Sequence, residues 1–172
     1  MESKESNLKD IMGHVMQLVY MLFLGIIIAV FFGLGIDTFY PGPKMPEYPT
    51  ILETQDYKTT PTTQTSEQNA AEVKYNKDLR QYDKEIKPYS RDVSIIAMVL
   101  AIAALVLSLT VLIRWEVIAN GVLLGGVFTL GYSIIMGVQA DDPKFRFAII
   151  SVGVVIAVVL GYVKFILPKK TA

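Results

Sequence analysis

The sequence predicts an all-α integral membrane protein of four transmembrane helices, with an amphipathic extramembrane helix between helices 1 and 2. Three observations predict it. Four apolar runs, residues 13–36, 93–113, 118–138 and 145–167, each reach the roughly 20 residues that a helix needs to cross the hydrocarbon core of a bilayer. Hydrophobic residues make up 52% of the 172-residue chain and the mean hydropathy is positive, more than a soluble domain of this size carries. The runs also lack the apolar/polar alternation of a β-barrel strand, so their backbone groups must find partners inside helices.

Residues 1–12 form a short charged tail, and the first span follows at 13–36. Its apolar core exceeds the roughly 7 to 15 residues of a signal peptide, and the region from Gly33 to Ile36 offers no A-x-A-like cleavage site, which predicts an uncleaved anchor. Glu2 after Met1 rules out a myristoylation signal. Residues 37–66 read as a Pro/Thr-rich extracytoplasmic linker. Within it YPGPKMPEYP (Tyr40 to Pro49) places proline at 41, 43, 46 and 49, which fixes φ and favours stiff, extended backbone. KTTPTTQTSEQNA (Lys58 to Ala70) has almost nothing to bury and cannot offset its ordering entropy.

From Tyr75 the pattern changes. Tyr75, Leu79, Tyr82, Ile86, Tyr89 and Val93 recur at spacings of 4, 3, 4, 3 and 4, one stripe of a helix predicted over 67–89. Pro88 is expected to kink or break it near Lys87, with Ser90 or Asp92 as the N-cap of the second span at 93–113. RWEVIAN (Arg114 to Asn120) is a short connection with an interfacial tryptophan, and Asn120 is expected to cap the third span at 118–138. In QADDPKFRF (Gln139 to Phe147), Asp142 followed by Pro143 is a helix start signal for the fourth span at 145–167. Pro168 should end that span and leave a tail of 168–172.

The chemistry-bearing residues exclude most functions. Charges balance, 16 basic against 16 acidic, so no field invites nucleic acid, and the absence of cysteine excludes disulfides, thiolate nucleophiles and sulfur-ligated metals. Ionisable groups at membrane depth are costly and mark function, yet Asp37, Arg114, Asp142, Arg146 and Lys164 all lie near span ends. His14 has Gln17 nearby but no second histidine or carboxylate with which to hold a metal. Asp141 and Asp142 could bind a divalent cation, although helix capping accounts for Asp142 without one. Neither G-x-S-x-G, H-E-x-x-H nor a P-loop occurs. No catalytic, cofactor-binding or metal-binding residue is expected, and the chain does not read as an enzyme.

Two constellations remain. Gly121, Gly125, Thr129, Ser133 and Gly137 stand every four residues in the third span, and Gly153, Ala157 and Gly161 repeat the device in the fourth. Lipid supplies no hydrophobic drive between helices, so small-xxx-small faces associate by close backbone approach. Packing of the third span on the fourth is the first expectation; a face for a second copy, or a small cavity lined by Gly125 and Gly126, are the others. The stripe Tyr75, Leu79, Tyr82, Ile86, Tyr89 lies either on the bilayer surface, where tyrosine rings are favoured, or against another chain.

The motifs FYPGPKMPEYP (Phe39 to Pro49), NGVLLGGVFTLGYSII (Asn120 to Ile135), DDPKFRF (Asp141 to Phe147) and GYVKF (Gly161 to Phe165) together resemble uncharacterised small four-span membrane proteins of ultra-small, reduced-genome bacteria. The resemblance covers most of the chain. It implies a bacterial inner-membrane location and supplies no activity, cofactor or site residue.

The resulting expectation is a non-enzymatic multi-pass protein of the inner (plasma) membrane with cytoplasmic N- and C-termini. It would act as a scaffold or accessory subunit presenting its extracytoplasmic helix to a partner or to the membrane surface. Its partners would be the lipid bilayer and a second copy or a membrane-complex subunit, with no cofactor and no nucleic acid. The alternative is a small transporter or channel-like protein for an uncharged or lipidic substrate, which needs no intramembrane charge.

Overall fold

The computed structural model describes residues 2–53 and 66–166, with side chains described for 11–52, 66–112, 114–164 and 166. Helix α1 spans Glu2–Phe39, α2 is the single turn Thr50–Glu53, α3 spans Ser66–Thr110, α4 Glu116–Gln139 and α5 Pro143–Gly161. A 3-10 turn, Leu112–Arg114, joins α3 to α4, and α5 runs on as a π-helical turn, Tyr162–Ile166. Among the described residues there is no strand. Ile11–Phe39 of α1, then α3, then α4, then Pro143–Lys164 are each long and apolar enough to cross a membrane, so the chain is an all-α multi-pass membrane protein. The Thr-rich stretch as far as Thr65, the stop expected at Pro168 and the tail 168–172 lie outside the described residues.

The ends of the helices follow local rules, with three departures from expectation. Helix α1 begins at Glu2, inside the segment read as a tail, since nothing between Glu2 and Met12 breaks a helix. It stops two residues before Pro41, whose ring disfavours helical backbone in the preceding residue.

The second departure is at Pro88. No break occurs there: α3 is one 45-residue helix that contains the proline. Proline removes a single N–H bond to the carbonyl of Lys84, and both residues lie on the exposed side, where that carbonyl is not sealed from water. Bonds on either side propagate the helix across the gap at less cost than nucleating a second one. Ser90 and Asp92 are therefore interior positions. Ser90 is buried, and Asp92 Oδ2 accepts a hydrogen bond from the Tyr40 hydroxyl at 3.0 Å.

The third departure is at Asn120, which does not cap α4. The 3-10 turn draws the chain in through Trp115 N–H to Leu112 O at 2.9 Å, so α4 starts at Glu116 with Trp115 as its N-cap and no side-chain capping bond. Asn120 Oδ1 instead accepts from Lys164 Nζ near the end of the fourth span. Asp142 does cap α5: its Oδ1 accepts from Lys144 N–H at 2.9 Å, with Pro143 in the first turn. Arg146 Nε donates to Ala140 O and closes the α4–α5 corner.

Contacts divide the chain into two compact units, one of Met1–Pro41 with Ser90–Ala172 and the other of Gly42–Tyr89. In the first, Met98 and Ala101 of α3, Leu130 of α4 and Ile149 of α5 form the core, with Ile134, Phe145 and Ile156 packed against it. Helix α1 lies along α4. The apolar windows of α1 and of the fourth span are only 11% buried, so residues such as Phe23, Ile26, Val30, Val155 and Val158 face the hydrocarbon. In the second unit, residues 42–49 form neither helix nor strand and lead into α2, beside the first half of α3.

Because the helix already passes through residue 88, Pro88→Ala should leave helical content unchanged. It should stabilise the protein by about 1–3 kcal/mol through the restored backbone bond and relieved ring clash. Far-ultraviolet circular dichroism and chemical unfolding in micelles measure both; a change in helical content would show that residues 66–110 are not one element.

Candidate functional site

Chemical machinery is sparse. Among the described residues no three His, Asp or Glu side chains stand close enough to hold a metal ion. His14 sits on an exposed face of α1, and the charged groups at the span ends hold the structure itself: Asp142 as cap, Arg146 on Ala140 O, Lys164 on Asn120. Among the described residues, the buried polar side chains of the first unit are hydroxyls, and they bond mainly to backbone. Ser94 Oγ donates to Ser133 O and Ser133 Oγ donates to Ser94 O, both at 2.7 Å, a reciprocal clamp between α3 and α4. Ser108 Oγ donates to Ala119 O at 2.6 Å near the opposite end of the same helix pair. Thr129 Oγ1 donates to Gly125 O at 2.8 Å within α4. Ser90 Oγ, one turn before Ser94, is buried without a hydrogen-bond partner.

The small residues of α4 do not serve one neighbour. A Cβ built on Gly121 would lie 2.7 Å from Leu24 of α1, and one on Gly125 would lie 2.8 Å from Ile28 and 3.2 Å from the carbonyl of Gly25. Ser133 is clamped to α3, while Gly137 meets Ile149 of α5 and Ser94 of α3. On α5, Gly153 faces Ile134 of α4, whereas Ala157 is exposed and a Cβ on Gly161 would meet nothing. Helical geometry explains the spread. Residues four apart advance 40° beyond a full turn, so the stripe from Gly121 to Gly137 wraps about 160° around α4. Its first half must face α1 and its second half α3 and α5. The glycines at 125 and 126 line no cavity: Gly125 receives Ile28, and a Cβ on Gly126 would lie 2.8 Å from Leu105 and 3.3 Å from Ala101 O.

A second small-residue face escaped the sequence reading. Ser90, Ser94, Ala97, Ala101, Ala104 and Ser108 of α3 are all buried, at spacings of 4, 3, 4, 3 and 4. That period averages 3.6 residues, so this face stays in register with one neighbour along its whole length. The signal was available in the spacing; it carries no glycine, and serine and alanine draw less notice.

In the second unit the tyrosine stripe has an occupant, the chain's own proline-rich segment. A Cβ on Gly42 would lie 2.9 Å from the ring of Tyr89, and Tyr48 packs edge-on against Tyr75 with ring centroids 5.3 Å apart. The two contacts orient the segment antiparallel to α3. The six steps from Gly42 to Tyr48 would cover about 19 Å at the polyproline II rise of about 3.1 Å, and the fourteen helical steps from Tyr75 to Tyr89 at about 1.5 Å each cover about 21 Å. Burial repeats with the same logic. Gly42 and, at every third position, Pro43, Pro46 and Pro49 are half-buried, a spacing that matches the period of a polyproline II helix, and Tyr75, Leu79, Tyr82, Ile86 and Tyr89 are half-buried too. Met45, Tyr48 and Ile51 form an exposed apolar edge, and Lys44, Glu47 and Thr50 an exposed polar one.

No family model, no curated protein and no solved structure matches the chain.

Contact distances rank the glycines. Gly125→Ala places a methyl against Ile28 and the Gly25 carbonyl and should cost about 1–3 kcal/mol, while Gly131→Ala and Gly161→Ala, which open on nothing within 4 Å, should cost none. Unfolding midpoints of the three variants in micelles, compared with wild type, test the order. In the same assay, a double-mutant cycle of Ser94→Ala and Ser133→Ala should give a coupling of about 0.6–1.7 kcal/mol between the two hydroxyls, because they also lie 3.5 Å apart and either can donate to the other.

Proposed function

We propose that the protein is a non-enzymatic scaffold or accessory subunit of a membrane complex, anchored by its four spans and docking through the tyrosine stripe of α3. One observation carries this reading: the stripe is aromatic, regular over about four turns, and only half-covered by a narrow segment of the same chain. Tyrosine is enriched at protein interfaces because it brings large contact area at low conformational cost. An apolar stripe retained on the charged half of a helix has no part in spanning the bilayer, and the hydroxyls clamped within the bundle are engaged in holding helices together.

The location we propose is the inner (plasma) membrane of a bacterium, with both termini cytoplasmic. The Pro/Thr-rich composition of residues 37–66 suits the extracytoplasmic side, Lys4 and Lys9 flank the first span, and an even number of spans puts the two ends on one side.

Two experiments test the reading. A cysteine at Ser66 should react with an impermeant maleimide in intact cells once the outer membrane is made permeable; protection there would reverse the orientation. Mild crosslinking in native membranes followed by purification should recover a protein partner with wild type and lose most of it with Tyr82→Ala. Recovery of lipid and self alone, identical for the two chains, would sink the scaffold role.

A further inference from the structure

We infer that the stripe Tyr75, Tyr82, Tyr89 reads polyproline II segments with proline at every third position, and that residues 43–49 are its tethered resident ligand, displaced when a partner chain supplies such a segment. The inference rests on the docking role proposed above and names the chemistry of the partner.

Commensurate spacing is the first ground. Tyrosines seven residues apart on a helix stand about 10.5 Å apart. Prolines three residues apart on a polyproline II helix stand about 9.3 Å apart. Three rings span about 21 Å and three prolines about 18.6 Å, so the two rows differ by only about 2.4 Å over the whole contact. Pro43 and Pro46 are half-buried between the two ends that Gly42 on Tyr89 and Tyr48 on Tyr75 mark, and Pro49 is half-buried just beyond. Proline-rich segments dock in aromatic-lined grooves elsewhere because the polyproline II conformation is already formed and little entropy is lost on binding. Here the chain supplies both sides.

Displaceability is the second ground. The prolines are half-buried rather than sealed, Met45 is 67% exposed, and Tyr48 stays 51% exposed even with its ring against Tyr75. A contact this shallow is maintained chiefly by tethering, which gives a linked segment an effective concentration on the order of millimolar. A partner segment making the same contacts plus others of its own can compete with it.

The test uses the full chain in micelles and a fluorescent synthetic peptide of residues 42–53 as probe. Two variants release the stripe: Pro43→Ser/Pro46→Ser/Pro49→Ser, which removes the inward face, and Gly42→Leu, which drives a side chain into the ring of Tyr89. The peptide should bind either released chain at least tenfold tighter than wild type. Adding Tyr82→Ala to the released chain should abolish binding, and a scrambled peptide without the three-residue proline period should not bind. Equal affinity for wild type and released chains, binding indifferent to Tyr82→Ala, or uptake of released chains by phospholipid vesicles without peptide binding would each overturn the inference.

Should both variants lose their helix, the wild-type fold supplies the measurement. Spin labels at positions 47 and 78 should move apart when the peptide is added at millimolar concentration, and a fixed distance refutes displacement. Failure here is separable from failure of the docking role. A Tyr82-dependent crosslinked partner that persists while the peptide does not bind removes the proline-rich class alone, and loss of both removes both.

Discussion

Helices in hydrocarbon gain nothing by burying one more leucine, so this bundle coheres only where backbones come near enough to touch. The approach of α1 to α4 makes the point. Leu24 and Ile28 seat on Gly121 and Gly125, and the Gly25 carbonyl lies where any side chain at 125 would intrude. The α3–α4 pair meets the same requirement differently, with Ala101 O close to Gly126 and hydroxyl clamps at Ser94–Ser133 and Ser108–Ala119. Every other feature of the first unit is arranged around these approaches. Bulky Val, Ile and Phe side chains are turned outward, where lipid solvates them as well as protein would.

The architecture was legible in the sequence because span length is dictated by bilayer thickness, a constraint outside the protein. What each span packs against was not, since that depends on phase. A small residue every fourth position looks like one face when written in a line, yet it winds around α4 and meets three neighbours in turn. The 4-3 spacing of Ser90, Ser94, Ala97, Ala101, Ala104 and Ser108 keeps its phase, and it is the sequence pattern that would have predicted the α3–α4 seam. Pro88 misled for another reason: an average proline penalty was weighed without the flanking helix that absorbs it. Asn120 misled because a capping residue is read from type alone, whereas Lys164, far along the chain, had use for its side chain.

The tyrosine stripe shows how two readable patterns can fail to be read together. Prolines at every third position and tyrosines at every seventh are each plain in the sequence. Their agreement appears only when the rise of an extended chain is set against the rise of a helix. The alternatives weighed for the stripe were a bilayer and a foreign chain; its observed occupant lies upstream in the same one, with Tyr48 on Tyr75 and Gly42 on Tyr89. Residues 42–49 and the helical residues 75–89 are accordingly joined by contacts between two patterns, each with its own period.

The seating of α1 on α4 has a consequence in time. Gly125 lies about a hundred residues downstream of Ile28, which at a synthesis rate of about 5–20 residues per second is a delay of roughly 5–20 seconds. Through that interval α1 has no α4 to receive it and must persist in the bilayer by itself. Its unbroken apolar sequence makes a solitary span stable, and the shallow grip of Leu24 and Ile28 on two glycines lets it be collected late. Of the four described spans, the one made earliest thus waits longest for the glycines that receive it.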